Sequence, residues 1–190
     1  AQNGQPIEYT LDNGMKFLLM PRDEQPNIIT AGWITPAGSA NERPGITGIS
    51  HMLEHLLFKG TDSIGTSDSD QDDAYRDQLT VIREKMRAYT LDVQYARMYD
   101  GEIANPWDPA NDTDELRAMR AEMTALQDKQ AEITIKNEFD SIYTGNGASG
   151  MNAGTGSDFT AYYINIPSNK LELWSWMESD RLLDPSFREL

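Results

Sequence analysis

The chain has no cysteine, which rules out disulfides and fits an exported or an intracellular protein equally. Positive charge is scarce: sixteen Lys and Arg stand against thirty-one Asp and Glu, for a net charge of −15. That balance argues against nucleic acid or an anionic membrane surface as the main partner, because both are themselves anionic. No run of about eighteen apolar residues occurs, so no segment reads as a bilayer span. A length of 190 residues suits the core of one domain with at most an appended substructure. Histidine is nearly absent too, with two in the whole chain.

Both histidines fall in one five-residue stretch, His51-Met52-Leu53-Glu54-His55. Residues four apart on a helix share a face, so His51 and His55 can offer two imidazole nitrogens to a single metal ion. Glu54 sits beside them, placed to act on water held there. This is the reverse of the His-Glu-x-x-His order and matches the inverzincin form of a zinc protease motif. Leu53, Leu56, Leu57 and Phe58 predict an apolar face that buries the helix, Gly48 and Ser50 a capped start, and Gly60 a stop.

Around this helix the pattern is mixed. Ile7 to Leu11 and Met15 to Met20 read as strands joined by a tight turn at Asp12-Asn13-Gly14, since Asn-Gly readily takes positive φ. Ile28 to Thr35 is a third apolar, β-branched run, and Pro36 to Gly45 a loop leading to the motif. Tyr143 to Gly150 is glycine-rich but lacks the lysine of a phosphate-binding loop. The second half of Met151 to Pro167 reads as a strand. Ser168 or Asn169 then caps a helix whose Leu171, Trp174, Met177 and Leu182 face the sheet, and Asp184-Pro185 ends it. The expected fold class is α+β, an antiparallel-rich sheet with helices packed on it.

Between the motif and about Ser149 the composition changes, as if a segment were inserted. Asp68, Asp70 and Asp72 alternate like a calcium loop. Asp73 stands where glycine is needed, however, and Leu79 where a bidentate glutamate belongs, so the expectation is a solvated acidic loop capping a helix that begins near Asp73. Leu79, Ile82, Met86, Tyr89 and Val93 step by three and four, as do Leu116, Met119, Met123 and Leu126, with Gln130 interrupting before Ile133. With turn and capping residues from Asn105 to Asp114, residues 62–145 are expected to form an antiparallel helical hairpin inserted into a domain of residues 1–190.

Taken together, these residues resemble the M16 family of metallopeptidases, the inverzincins that include pitrilysin, insulin-degrading enzyme and the mitochondrial processing peptidase. The resemblance rests on Gly38 through Thr61, on Asn152-Ala153-Gly154-Thr155 followed by Asp158, Thr160 and Tyr162, and on the helix ending in Asp184-Pro185-Ser186-Phe187. It covers about residues 5–61 and 140–190. It implies a processing-peptidase-like domain in which His51 and His55 ligate zinc and Glu54 is the general base. Asn152, Ala153 and Gly154 would lie on an edge strand that pairs with an extended peptide substrate.

The family takes its third zinc ligand from a glutamate on a later helix, after the Pro-x-Phe element. The chain ends at Leu190, three residues past Phe187, so that ligand and the remainder of the peptidase are expected beyond it, and activity of these residues alone is not expected. Glu172, Glu178 and Glu189 read as surface helix charge. The resemblance further implies a similar second half that encloses a chamber with this one. The alternative function is a non-catalytic peptide-binding subunit or chaperone-like module working through an exposed strand edge near Asn152. The start, Ala1-Gln2-Asn3-Gly4-Gln5-Pro6, looks like the remainder after signal-peptidase cleavage and leads us to expect a periplasmic or secreted protein.

Overall fold

A computed structural model describes residues 5–22 and 27–188; Ala1 to Gly4 and Glu189 lie outside the described residues. The chain forms two compact units, one of residues 1–51 and 142–178, the other of residues 52–141 and 179–190. In the first, strands β1 (Ile7–Thr10) and β2 (Lys16–Leu19) pair antiparallel as a separate two-stranded ribbon. Their connection is not a two-residue turn. Gly14 N–H donates to Leu11 O and Leu11 N–H to Met15 O, and of Asn13 and Gly14 only the glycine has positive φ. This is the longer loop in which a tight turn is closed by one left-handed glycine, because Asn13 instead uses its side chain to accept from Met15 N–H.

The main sheet has the order β3-β5-β4, antiparallel throughout, with β3 at Ile28–Thr35, β4 at Ser149–Thr155 and β5 at Thr160–Pro167. Mixed helix and antiparallel sheet is therefore the architecture, as the sequence predicts. Period-two burial separates the faces: Ile29, Ala31 and Trp33 on β3 share one face with the buried Tyr162, Ile164 and Ile166 on β5. Trp33 and Tyr162 are direct cross-strand neighbours with rings stacked 4.0 Å apart. The other face carries Ile28, Ile34 and Tyr163 and is exposed.

Helix α1 (Ile49–Leu56) carries the His-Glu-His stretch. The second unit is largely helical, with α2 (Ser69–Tyr89), a π-helical turn (Thr90–Gln94), α3 (Tyr95–Tyr99) and α4 (Asp114–Ile133). Leu79 and Ile82 of α2 and Leu116 and Leu126 of α4 are buried, so the two stripes form its core. Gln130 Nε2 on α4 donates to Asp72 Oδ1 on α2 at 2.9 Å, while Thr113 Oγ1, the cap of α4, donates to Tyr89 Oη at the far end of α2. These contacts make the pair antiparallel. Val93 lies in the π turn and is half-buried, as Met86 and Tyr89 are.

Helix α2 begins at Ser69, with Asp68 capping it through Gln71 N–H, rather than near Asp73. The acidic stretch is also not wholly solvated. Asp72 is fully buried and paired with Arg188, whose guanidinium additionally donates to Thr61 O and Ile64 O. Its place in the first helical turn points its side chain inward with Leu79, one face of the same helix.

Helices α5 (Glu138–Gly145) and α6 (Leu171–Leu183) complete the chain. Tyr143 to Gly145, expected in a loop, are the last turn of α5. On α6 the buried residues are Met177, Glu178 and Arg181, while Leu171 and Leu182 are exposed. Positions 174, 177, 178 and 181 are spaced three and four apart and share a face; Leu171 and Leu182 sit at its margins. Glu178 is thus a core residue and not surface charge, whereas Glu172 is exposed as expected.

Candidate metal centre

Helix α1 is started by a residue seven positions upstream of its first residue. Glu42 accepts from Gly48 N–H through Oε2 at 2.7 Å and from Ser50 N–H through Oε1 at 2.9 Å, so one carboxylate satisfies two donors at the N-terminal end of α1. The two backbone hydrogen bonds, Gly48 first, lower the Glu42 pKa below its ordinary value of 4.5. The cap is therefore a carboxylate from the preceding loop and not Ser50. Gly48 contributes by its φ of +89°, a turn that a side chain would strain.

At the other end, Phe58 and Lys59 N–H close a final turn onto His55 and Leu56 carbonyls. Gly60 then reverses the chain at φ +109°, where a Cβ would strike the Ile64 carbonyl oxygen, so the expected stop is a steric requirement. The Arg181 guanidinium lies over the Phe58 ring at 5.2 Å and over the Phe139 ring at 4.9 Å, fixing the segment just past His55 from α6.

Within α1 the arrangement is compact. One nitrogen from each of His51 and His55 and an oxygen of Glu54 lie within 4.8 Å of one another, with both histidines exposed and Glu54 buried. No further His, Asp or Glu joins this group among the described residues. Expected apolar burial of the helix is not what the structure shows. Glu54 is the residue turned inward, and because successive residues step by about 100°, Leu53 is carried to the exposed side while Leu56, Leu57 and Phe58 are half-buried. Two imidazole nitrogens one helical turn apart suit a divalent ion of zinc type, and the Glu54 carboxylate lies within reach of a group held there.

Asn152, Ala153 and Gly154 lie together on β4, the edge strand, opposite Tyr163, Tyr162 and Ala161 of β5. Asn152 Oδ1 accepts from Ala153 N–H at 2.9 Å, and the strand carries an irregularity between Ser149 and Asn152. Gly154 has neither positive φ nor any atom within 4 Å of where a Cβ would stand. Nothing in the fold demands glycine there.

The sequence reading missed Glu42, Glu178, Arg181 and Arg188. Each acts on a partner at least six residues away, so no local spacing rule marks it.

Residues 18–75, which hold this helix, match the model of the insulinase family, peptidase family M16. Over these residues the chain is similar to M16 peptidases. It is 37% identical over 62 residues to the zinc protease PqqE of Helicobacter pylori, covering 33% of this chain and 14% of that protein. It is 43% identical over 53 residues to the zinc protease YmxG of Bacillus subtilis (28% and 13%) and 37% identical over 51 residues to the chloroplastic stromal processing peptidase of Arabidopsis thaliana (27% and 4%). The matched part is thus a small share of each relative's length. Among solved structures, a protease from Helicobacter pylori superposes over 99% of this chain and 28% of its own, with a TM-score of 0.56 at 20% identity, which is a likeness of fold. Two of these relatives are named zinc proteases.

Proposed function

We propose that the chain forms the amino-terminal part of the catalytic domain of a zinc endopeptidase acting on peptides or unfolded segments. The observation that carries this reading is the meeting of His51, Glu54 and His55 on one two-turn helix. His51 and His55 hold the metal through their ring nitrogens. When bound, zinc supplies an electrophile that polarises a carbonyl and makes water acidic near neutral pH. Glu54 takes the proton from the attacking water and returns it to the leaving amine, and its buried position keeps the carboxylate oriented for both transfers. A catalytic zinc ordinarily has three protein ligands, so a third donor comes from outside the described residues, and these residues alone hydrolyse peptides poorly.

The edge of β4 receives the substrate as an added strand. Main-chain pairing gives affinity with little side-chain selectivity, and Gly154 leaves the close approach open. Residues 62–145 are read as a helical insertion in this domain, supported by the antiparallel packing of α2 on α4. A similar second half of the protein would complete a chamber, and no described helix is long and apolar enough to cross a membrane.

The test uses the protein as encoded. Zinc content, Co(II) absorption and hydrolysis of an unstructured peptide are compared for the native protein, His51→Ala and Glu54→Gln. His51→Ala should lose metal and activity together; Glu54→Gln should keep the metal and lose at least a hundredfold in kcat. Activity surviving in Glu54→Gln would defeat the assignment. Peptide binding that persists under chelation without any hydrolysis would instead favour a peptide-binding module built on the β4 edge.

A further inference from the structure

The turn joining α2, α3 and α4 carries an aromatic cluster that the peptidase reading does not use. Tyr95 lies at its centre, with the Tyr99 ring at 6.2 Å and the Trp107 ring edge-on at 6.4 Å, and Trp107 Nε1 donates to Tyr95 Oη at 3.3 Å. These rings are not core: Tyr99 is 79% and Trp107 47% exposed, and Leu91 beside them is 51% exposed.

The cluster is held in place. Gln94 Nε2 and Arg97 Nη1 both donate to Asn111 O, Arg97 also donates to Gln94 Oε1, and Asn111 Nδ2 donates to Asn105 O, so the loop bearing Trp107 is closed on itself and its far end is tied to the π turn and α3. The π-helical turn at Thr90–Gln94 adds a residue to the helical repeat immediately before Tyr95 and turns the two tyrosines off the buried stripe. Packing does not account for ordered rings facing solvent.

Their surroundings are acidic. Residues 89–112 contain five Asp and Glu and a single basic residue, Arg97. Arg97 is paired with Glu102, and the buried Asp112 with Arg120. Asp92 and Asp100 are exposed and enter no ion pair among the described residues. Electron-rich ring faces beside uncompensated carboxylates form a surface for an organic cation, and a guanidinium both stacks on rings and pairs with carboxylates.

We propose that the Tyr95–Tyr99–Trp107 tip is a docking surface for the Arg and Lys side chains of a cationic peptide segment. The rings give the site its specificity, and Asp92 and Asp100 supply long-range attraction.

Fluorescence anisotropy of a labelled, amidated octapeptide of alternating Arg and Ala, titrated with the 190-residue chain in EDTA, tests this without engaging the metal helix. Tyr99→Ala and Trp107→Ala should each weaken binding about threefold, and together about tenfold, at unchanged net charge. A citrulline analogue of the peptide should not bind, and Asp92→Asn with Asp100→Asn should flatten the salt dependence. Tyr99 is exposed enough that its truncation leaves the loop's own hydrogen bonds intact, so the test stands even if Trp107→Ala loosens the turn. Unchanged affinity in the double aromatic variant would overturn the proposal, as would equal binding of the citrulline peptide, or tip-dependent binding of phosphatidylcholine vesicles without peptide binding.

Discussion

Trp33 Nε1 donates to Glu178 Oε2 at 2.7 Å, and Tyr143 Oη donates to the other oxygen of the same carboxylate at 2.7 Å. Glu178 thereby joins β3, α5 and α6 from a position almost closed to solvent. Its side chain is an internal acceptor for two aromatic donors, the buried Tyr143 and the half-buried Trp33.

Truncating that carboxylate should therefore cost more than a surface change. Glu178→Ala removes the acceptor of a buried and of a half-buried donor and is expected to lower unfolding free energy by about 2–3 kcal/mol, while Glu178→Gln keeps one acceptor oxygen and loses about half of that. Urea denaturation followed by Trp fluorescence measures both. Equal, near-zero losses would show that the two hydrogen bonds carry no weight.

Arg188 and Asp72 make the corresponding prediction in the other unit. Each is fully buried, so Arg188→Met leaves the Asp72 carboxylate with only the half-buried Arg76 at 3.3 Å as a cationic partner and should cost about 2–4 kcal/mol. Asp72→Asn combined with Arg188→Met should recover part of the loss, since both charges of the buried pair are then gone. A double-mutant cycle in thermal unfolding reads the coupling, and strict additivity would contradict it.

The cap on the metal helix predicts a pH dependence. Glu42 has a lowered pKa in the folded protein, so its stabilisation is fully present above the unfolded carboxylate value of 4.5 and is lost as pH falls through the lower folded value. The Gly48 and Ser50 amides should then exchange faster, an acceleration that Glu42→Gln should partly reproduce at neutral pH. Amide exchange by NMR follows both; protection independent of pH and of Glu42 would refute the cap.

Gly154 separates fold from binding. With open space at its Cβ position, Gly154→Val should leave thermal stability within about 0.5 kcal/mol of native, yet should weaken extended peptides that pair with the β4 edge. A large stability loss with unchanged peptide affinity would argue that the glycine serves the sheet.

Much of this was legible in the chain itself because the relevant signals are local. The Ile28–Thr35 strand, the helix around His51, the two apolar stripes and the Gly60 stop each follow from side-chain period or backbone sterics, which a short window contains. The histidine pair is readable for the same reason, since i and i+4 meet on any helix.

Tertiary structure decided which charged residues are buried. Nothing in the local sequence marks Glu54, Asp72, Glu178, Arg181 or Arg188 as interior residues, and each is buried. A charge becomes tolerable inside only when partners brought from elsewhere in the fold compensate its desolvation, as Asp72 does for Arg188 across 116 residues. The sequence by itself determined that two imidazoles and a carboxylate share one helical face; the fold decided that the carboxylate faces inward and that a distant glutamate starts the helix that holds them.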